Sequence, residues 1–372
     1  MTKRSMYHQF YGLILSFMFV VSMVLVPFNS LAAEESEEAF TLSIMHMNDT
    51  HAHVEPLPKM ITAINEVRAE KPDSLLLHAG DVFSGTLYFN QFYGQADLAL
   101  MNLMDIDAMV FGNHEFDIGD QEGGHQSLAA FVEGANFPFL GTNVDFSRDA
   151  YMRDLVTEET DPQAGLSHNL IVKEVDGEEI GIFGLTTEDT ADIANPVNVT
   201  FADYLATAED AVSEFEDMGV DKVVALTHLG YDSNPAVGND LLLGQVDGID
   251  VIVGGHSHTQ LDDPVIVSTD AEGNEKDPTV IVQAYQYAEF LGTLDVEFDE
   301  EGVVIGHSGE LLAVEDYEAD PAGVEVLQPY KDEVEEIMNE ESGAVALKDL
   351  LNPARASRVM IVSVPMKQSL VI

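Results

Sequence analysis

The chain contains no cysteine among its 372 residues. This absence excludes disulfide bonds, cysteine nucleophiles, thiolate metal sites and the lipid-modified cysteine of a lipoprotein. It does not indicate the redox compartment, because a chain without cysteine is compatible with either one. Any metal site must therefore use nitrogen and oxygen ligands from histidine, carboxylate and amide side chains.

Positive charge is also scarce, with 15 Lys and Arg residues against 67 Asp and Glu residues and a formal net charge of −52. Nucleic acids are bound chiefly through Lys and Arg, so we expect no nucleic-acid partner. Hydrophobic residues make up 46% of the chain, which is too many for an acidic disordered protein. The composition predicts a folded body with an acidic surface, in an external medium whose salt screens that charge.

The N-terminal segment has the three regions of a secretory signal peptide. Lys3 and Arg4 precede a mostly apolar run over residues 10–28, and small side chains within residues 30–33 precede an acidic stretch. We predict a signal peptide over residues 1–33 and a secreted protein, extracellular or associated with the cell wall, with no membrane span after cleavage. The alternative is an uncleaved anchor, which would also export the rest of the chain.

Short apolar runs alternate with amphipathic stretches after residue 39. Runs of this length and composition predict buried strands, over residues 40–47, 74–78, 108–111, 137–141, 180–185, 222–226, 249–253, 279–283 and 291–298. Residues 59–68 and 203–216 have the apolar spacing of helices. The alternation predicts an α/β sandwich whose later strands are partly antiparallel.

Two later segments define the expected domain boundaries. Residues 267–278 are rich in Asp, Glu, Gly and Asn and predict a surface loop. Residues 325–341 predict an acidic helix, broken or kinked near Pro329, after a turn at residues 320–323. We expect a catalytic domain over residues 40–315 and a connector helix region over residues 316–349.

Five segments place metal-binding residue types directly after predicted strands, where loops gather to form the active sites of α/β proteins. A single histidine at a strand end is usually a packed or solvated residue, but five such segments in order favour a site. They cover residues 46–53, 79–81, 112–117, 227–230 and 254–258, and they contain Asp49, His51, Asp81, Asn113, His114, Asp117, His228, His256 and His258.

The spacing within these segments is that of metal ligands. Asp49 and His51 are two residues apart at a strand end, as are His256 and His258, so each pair can point the same way and chelate one ion. Asp81 can bridge two cations, and mixed imidazole and carboxylate ligation suits Zn, Mn, Fe or Co. Two such ions about 3.5 to 4 Å apart can activate water and clamp a phosphoryl group.

The order Asp-x-His, Gly-Asp, Gly-Asn-His-Glu, His and Gly-His-x-His resembles the calcineurin-like metallophosphoesterase superfamily. Within it, Asn-Asp-Thr-His-Ala-His at residues 48–53 and Gly-Asn-His-Glu-Phe-Asp at residues 112–117 resemble the secreted 5′-nucleotidase and UDP-sugar hydrolase family. The resemblance covers roughly residues 40–340. It implies a four-layer α/β sandwich, with two mixed β-sheets flanked by helices, and hydrolysis of phosphate esters of extracellular nucleotides by a metal-bound hydroxide.

The resemblance also implies a role for each candidate residue. One divalent ion would be bound by Asp49, His51, Asp81 and His258. The other would be bound by Asp81, Asn113, His228 and His256. His114 would contact the phosphate and stabilise charge or protonate the leaving oxygen, while Asp117 would orient the His114 ring. We expect a monomer whose partner is a small nucleotide or another phosphate ester.

Several nearby residues have a less specific interpretation. His53 is an alternative to His51 as a ligand, although the family pattern favours His51. Glu115 is expected to be structural and Asp232 to be solvated. Packing or surface positions are the simplest expectation for the remaining histidines and for two aromatic pairs: His46, His78, His125, His168, His307, Tyr88, Phe89, Phe92 and Tyr93.

The C-terminal composition changes abruptly. Residues 350–372 contain no acidic residue, although the preceding 349 residues hold all 67. Members of the resembled family carry a second domain, with arginines and an aromatic pair for the nucleoside. Reading the back-translated codons of residues 359–372 two nucleotides on permits a stretch similar to the start of that domain. We therefore expect a frameshifted tail over residues 350–372 and loss of the second domain; the alternative is a native basic tail.

These observations leave more than one function open. The leading expectation is a nucleotide phosphoesterase that is impaired by loss of its substrate-binding domain. A 2′,3′-cyclic nucleotide phosphodiesterase or a broad phosphatase is the nearest alternative within the same superfamily. An inactive, truncated remnant that only binds metal is the alternative of a different class.

Overall fold

The computed structural model describes residues 40–120 and 123–340. The predicted signal peptide, residues 341–349 of the connector region and the tail over residues 350–372 lie outside the described residues. Within them, the strands are β1 (Phe40–Met47), β2 (Leu75–His78), β3 (Ala108–Val110), β4 (Phe139–Leu140), β5 (Val144–Asp145), β6 (Val156–Thr157), β7 (Ser167–His168), β8 (Leu170–Val175), β9 (Glu178–Thr186), β10 (Thr200–Phe201), β11 (Lys222–His228), β12 (Val251–Val253), β13 (Val265–Thr269), β14 (Glu275–Val282), β15 (Phe290–Phe298) and β16 (Val304–Ala313).

Helices lie between many of these strands, as the sequence pattern predicts. They are α1 (Leu57–Glu70), α2 (Leu87–Phe92), α3 (Gln95–Met101), α4 (Gln126–Glu133), α5 (Thr190–Ile193), α6 (Tyr204–Met218), α7 (Asp240–Leu243) and α8 (Pro321–Asn339). Short 3₁₀ turns occupy His114–Phe116, Arg153–Leu155 and Val314–Asp316. None of the helices in the described ranges is long and apolar enough to cross a membrane.

The strands form two mixed sheets. The first has the order β16-β15-β1-β2-β3-β4-β7-β6, and the second has the order β13-β14-β12-β11-β9-β8. In the first sheet β1, β2, β3 and β4 are parallel neighbours, whereas β15 and β16 run antiparallel. In the second sheet β9, β11, β12 and β14 are parallel neighbours. A further two-stranded sheet pairs β5 with β10.

The two sheets pack face to face because each strand alternates its apolar side chains between two sides. On β1, Leu42 and Ile44 enter the core between the sheets, where they join Ile182 of β9 and Leu226 of β11. Met45, which follows Ile44, points to the opposite side. The space between the sheets is therefore filled by aliphatic side chains from both.

Helices cover the outer face of each sheet. Met60 of α1 and Leu327 of α8 share one core with Met45 of the first sheet. Phe215 of α6 and Phe183 of β9 share another core on the outside of the second sheet. The resulting order is helices, sheet, sheet and helices, which confirms the four-layer α/β sandwich with two mixed, helix-flanked sheets.

The structure differs from the sequence prediction at the edges of the sheets. Residues 267–278 do not form a simple loop, because β13 and β14 pair antiparallel across them and leave only a tight turn at residues 270–274. The edge strands β8 and β16 were not predicted. In β16, exposed and partly buried positions carry polar or small residues that interrupt the apolar run, and in β8 the polar residues Lys173 and Glu174 limit the apolar run to three residues.

Helix α8 also differs from its prediction. It begins at Pro321, where Asp320 accepts a hydrogen bond from the Gly323 N–H, so the expected turn is the start of the helix. It then continues through Pro329 to Asn339, so of the predicted break or kink the break is wrong. Proline removes a single intrahelical hydrogen bond, and the buried contacts of Leu327 and Val334 hold the helix on both sides of it.

The core between the sheets predicts that replacing two different isoleucines has very different effects on the free energy of unfolding. Ile182 is fully buried there, whereas Ile305 of β16 is 57% exposed. We expect Ile182→Ala to lower the free energy of unfolding by about 2 to 5 kcal/mol because it leaves a cavity. The matched change Ile305→Ala should stay within about 0.5 kcal/mol. Urea unfolding measures both values, and equal losses would contradict this assignment of the core.

Candidate functional site

The nine candidate residues lie around the carboxyl ends of β1, β2, β3, β11 and β12. Asp49 and His51 follow β1, Asp81 follows β2, and Asn113 follows β3. His228 is the last residue of β11. Because each sheet keeps its own strands parallel here, the loops of both sheets open at the same end and meet there.

Three of the side chains form what we call the first group: Asp49, His51 and His258. The Nε2 atoms of His51 and His258 are 3.0 Å apart. Asp49 Oδ1 lies 3.1 Å from His258 Nε2 and 3.8 Å from His51 Nε2. All three ligand atoms therefore surround a volume small enough for a single ion.

The second group comprises Asp81, His228 and His256. Asp81 Oδ2 lies 3.1 Å from His228 Nε2, and it is also 3.7 Å from the Nε2 of His51 in the first group. Asn113 joins the second group, since its Oδ1 lies 2.9 Å from His256 Nδ1. Asp81 thus faces both groups, which is the position a bridging carboxylate requires.

The atoms of the two groups fit divalent cations. Asp49 Oδ1 and His228 Nε2 are buried and make no hydrogen bond, although His258 Nε2 lies 3.1 Å from Asp49 Oδ1 and Asp81 Oδ2 lies 3.1 Å from His228 Nε2. Buried polar atoms without partners are uncommon in native proteins and often mark an ion or water. The donors are imidazole nitrogens, carboxylate oxygens and one amide oxygen, which suit a transition metal.

The charge balance of the groups also favours a cation. Burial opposes a charge on His228, but the neighbouring Asp81 carboxylate raises the pKa of His228 to about 10. Burial likewise opposes ionisation of Asp81, but His228 holds the pKa of Asp81 below its usual range. Without an ion, His228 thus carries a proton beside the carboxylate. A divalent cation would take the place of that proton.

His114 lies next to both groups, and its ring is held by the side chains of Asp117 and Ser84. Its backbone N–H donates to Asp81 Oδ1 at 2.9 Å, and its Nδ1 lies 2.7 Å from Asp117 Oδ2. Ser84 Oγ donates to Asp117 Oδ2 at 2.7 Å and lies 2.9 Å from His114 Nδ1. Burial lowers the pKa of His114, but Asp117 and Asp81 outweigh it and raise the pKa to about 9.

Two glycines allow the loops to meet. A Cβ atom on Gly112 would lie 2.2 Å from Asp81 Oδ1, and one on Gly255 would lie 2.6 Å from the Ala79 carbonyl oxygen and 2.9 Å from His228 Nδ1. No side chain can occupy these positions without moving a candidate ligand. Glycine at these two positions therefore allows the close approach of the backbone.

Glu115 binds the loops after β2 and β3 together. Its carboxylate is buried and accepts hydrogen bonds from the backbone N–H groups of Asp81, Val82, Phe83 and Gly112, at 2.6 to 3.0 Å. A carboxylate has enough lone pairs to accept all four. This arrangement agrees with the expected structural role of Glu115, which holds the backbone of Asp81 in place.

The backbone around the site is unusually strained. Fourteen non-glycine residues of the described ranges have positive φ angles, in the left-handed region that L-residues rarely adopt. Ten of the fourteen belong to the loops around the site: Asp49, His51, Ala52, Asp81, Ser84, His256, His258, Tyr285, Tyr287 and Ala288. Such clustering is typical of functional sites, where surrounding contacts hold a costly conformation.

The less specific candidates lie outside both groups. The Nδ1 of His53 is 3.1 Å from the carbonyl oxygens of Thr50 and His51, so His53 lies beside the first group. His307 and Asp232 are exposed. The other candidates are buried or partly buried, apart from Tyr93, which is 48% exposed: His46, His78, His125, His168, Tyr88, Phe89 and Phe92.

Sequence reasoning missed several residues that contact the candidates. Asn48 donates to Asp49 Oδ2 at 2.7 Å. Because Asn48 precedes Asp49 in the sequence, this contact could have been predicted. Ser84 follows Asp81 by three residues. Gln283 donates to the Gly255 carbonyl at 2.8 Å, and its Oε1 accepts from the Thr259 N–H, so it supports the loop that carries His258.

Comparisons with known proteins identify the family of this chain. The family model described as calcineurin-like phosphoesterase matches residues 42–260. The trifunctional nucleotide phosphoesterase protein YfkN of Bacillus subtilis (strain 168) is 41% identical over 324 residues, which cover 81% of this chain and 21% of that protein. The 5′-nucleotidase of Rattus norvegicus is 32% identical over 303 residues, which cover 73% of this chain and 49% of that protein.

A solved structure shares the fold. The 5′-nucleotidase precursor from Thermus thermophilus superposes with a TM-score of 0.71 at 37% identity, over 81% of this chain and 60% of that one. This chain thus spans at most about half the length of the two curated relatives. Because the family model matches more than half of the chain, the chain belongs to the calcineurin-like phosphoesterase family, which confirms the resemblance found in the motifs and the expectation of a hydrolase.

The hydrogen bonds of Glu115 generate a stability prediction. Glu115→Gln replaces one acceptor oxygen with an NH₂ group that faces two backbone N–H groups. We expect it to lower the free energy of unfolding by about 2 to 4 kcal/mol, since each buried N–H left without an acceptor costs roughly 1 to 3 kcal/mol. The control Glu158→Gln alters an exposed carboxylate. Guanidinium unfolding that shows the same stability for both variants would contradict the prediction.

Proposed function

We propose that this chain hydrolyses phosphate esters of extracellular nucleotides, in the manner of 5′-nucleotidases and UDP-sugar hydrolases, with two divalent cations. The observation that carries the proposal is the pair of ligand groups that face each other across Asp81. The relatives are named as a nucleotide phosphoesterase and as 5′-nucleotidases, which supports a nucleotide as the substrate.

The first cation is assigned to Asp49, His51, Asp81 and His258. The second is assigned to Asp81, Asn113, His228 and His256. The donor set suits Zn, Mn, Fe or Co and does not choose among them. When bound, the two cations would neutralise charge on the phosphoryl group and lower the pKa of water, as in other two-metal sites.

The remaining chemistry is assigned to His114 and its two partners. With Nδ1 held by Asp117, the Nε2–H of the charged ring is free to donate to a phosphoryl oxygen or to the leaving oxygen. In the metal-free protein, the raised pKa favours this proton at neutral pH. Asp117 and Ser84 fix the ring orientation, so that the proton is delivered without a search over rotamers.

A second substrate class has specific support. The relative with 41% identity is named a trifunctional nucleotide phosphoesterase, which favours more than one kind of nucleotide ester. A 2′,3′-cyclic nucleotide presents a phosphodiester to the same two groups, so diesterase activity uses no additional residues. We therefore propose cyclic nucleotides as the second substrate class for the same site.

We also propose that the enzyme is exported and works outside the cytoplasm as a monomer. Residues 1–33 have the pattern of a signal peptide, although they lie outside the described residues. The formal net charge of −52 is tolerated best where salt screens it. Comparing the N-terminal sequence of the protein from the medium with that of the cell-bound protein tests export and cleavage together.

Replacing the shared carboxylate tests the two-metal assignment. We expect Asp81→Ala to reduce phosphoesterase turnover more than about 100-fold, because both cations lose a ligand and even outer contacts of a metal site contribute 10- to 100-fold. Metal content by mass spectrometry should fall from two ions per chain. The control Asp232→Ala removes an exposed acid near His228 and should leave both values unchanged. Full activity or two retained ions in Asp81→Ala would refute the assignment.

A substrate panel separates the activity from metal binding alone. None of the ion pairs of Lys and Arg in the described ranges involves one of the nine candidate residues, so we assign no basic clamp for a nucleotide to the described part of the chain. We expect this 372-residue chain, loaded with Mn²⁺ or Zn²⁺, to hydrolyse an aryl phosphate faster than 5′-AMP, since its leaving group is better. Faster turnover of 5′-AMP would contradict this prediction. Bound metal without turnover of any ester would indicate an inactive metal-binding remnant.

A further inference from the structure

The segment between β14 and β15 contains concentrated backbone strain. Tyr285, Tyr287 and Ala288 have φ angles of 66°, 58° and 55°, although none of them is a glycine. Non-glycine residues adopt this region rarely, and aromatic residues have no local reason to do so. Contacts with other parts of the molecule must therefore hold the segment in this conformation.

Those contacts connect the segment to the loop that carries Asp49. The Tyr287 N–H donates to the Asp49 carbonyl oxygen at 2.8 Å. Asn48 accepts from the Ala284 N–H at 2.8 Å and donates to the Tyr285 carbonyl oxygen at 2.6 Å. Three hydrogen bonds with Asn48 and Asp49 thus hold the segment in its strained conformation.

The result of this geometry is the placement of the Tyr287 ring. Its centroid lies 5.8 Å from the His51 ring and 5.8 Å from the His258 ring, at interplanar angles of 71° and 68°. It also stacks on His53 at 4.1 Å and 26°. Edge-to-face and stacked contacts at these distances are favourable. One half-buried ring therefore contacts both imidazoles of the first group.

We propose that Tyr287 is a positioning residue for the first group, which holds the His51 and His258 rings at the orientation that one cation requires. This role rests on the proposed two-metal function and deepens it. Imidazole ligands need a fixed ring orientation, and residues that supply it affect metal affinity strongly. The left-handed backbone at Tyr287 is the means by which its ring reaches both histidines.

The same segment provides a matched control. Tyr285 is also a tyrosine with a left-handed backbone, but its ring lies 6.3 Å from Phe290 and makes no ring contact with the first group in the described structure. Tyr285→Leu and Tyr287→Leu remove equal side chains from one loop. Tyr287→Phe keeps the ring and removes only the hydroxyl.

Calorimetric titration of the metal-free proteins with Mn²⁺ tests the proposal without measuring activity. We expect the unmodified protein to bind two ions, and Tyr287→Leu to weaken one of the two affinities by about 10- to 100-fold. Tyr287→Phe and Tyr285→Leu should stay within about threefold of the unmodified protein. Thermal unfolding of each metal-free variant establishes that it is folded. If Tyr287→Leu is not folded, Tyr287→Met replaces it, because the unbranched methionine side chain adapts to irregular space without a flat ring.

Three results would overturn the proposal. Unchanged binding of both ions by Tyr287→Leu would show that the ring positions nothing. An equal loss in Tyr285→Leu would show a general effect of the loop. A loss in Tyr287→Phe as large as that in Tyr287→Leu would assign the effect to the hydroxyl. Failure of the unmodified protein to bind any ion would instead refute the two-metal function itself, so the two ideas fail separately.

Discussion

Burial of the Asp49 and Asp81 carboxylates around the same His51 nitrogen is the constraint on which the site depends. Charges removed from water must be compensated nearby or the fold becomes unstable. The chain places the imidazoles of His51, His228 and His258 within 4 Å of these carboxylates, and Asp81 favours a proton on His228 that balances part of the charge. Two divalent cations would balance it more completely. The same electrostatic demand that complicates folding thus creates the affinity for metal.

Holding these groups together requires backbone conformations that the chain would otherwise avoid. Each left-handed non-glycine residue costs of the order of 1 to 3 kcal/mol, and around the site these residues lie in four loops, which follow β1, β2, β12 and β14. The surrounding structure maintains it through close packing at Gly112 and Gly255 and through the four hydrogen bonds of Glu115. Part of the free energy gained by packing the two sheets therefore offsets the cost of the strained backbone at the site.

The sequence predicted the parts of this structure that depend on local pattern. The bounds of β1 agree with the structure, and the candidate ligands stand out because their types recur after apolar strands. The edge strand β16 escaped prediction, since its exposed side breaks the apolar run. The contacts of Ser84 and Tyr287 were also beyond prediction. They depend on the path of loops that bring together residues 30 to more than 200 positions apart, and no local pattern encodes that path.

Both ligand groups draw side chains from both sheets: Asp49, His51 and Asp81 follow strands of the first sheet, whereas His228, His256 and His258 belong to the second. Each ion at this position would cross-link the two sheets. An ion that binds only the folded form stabilises it by RT ln(1 + [L]/Kd). The resistance of the protein to heat and proteolysis would then depend on the free metal concentration of its surroundings. Metal starvation would lower the amount of folded enzyme as well as its activity.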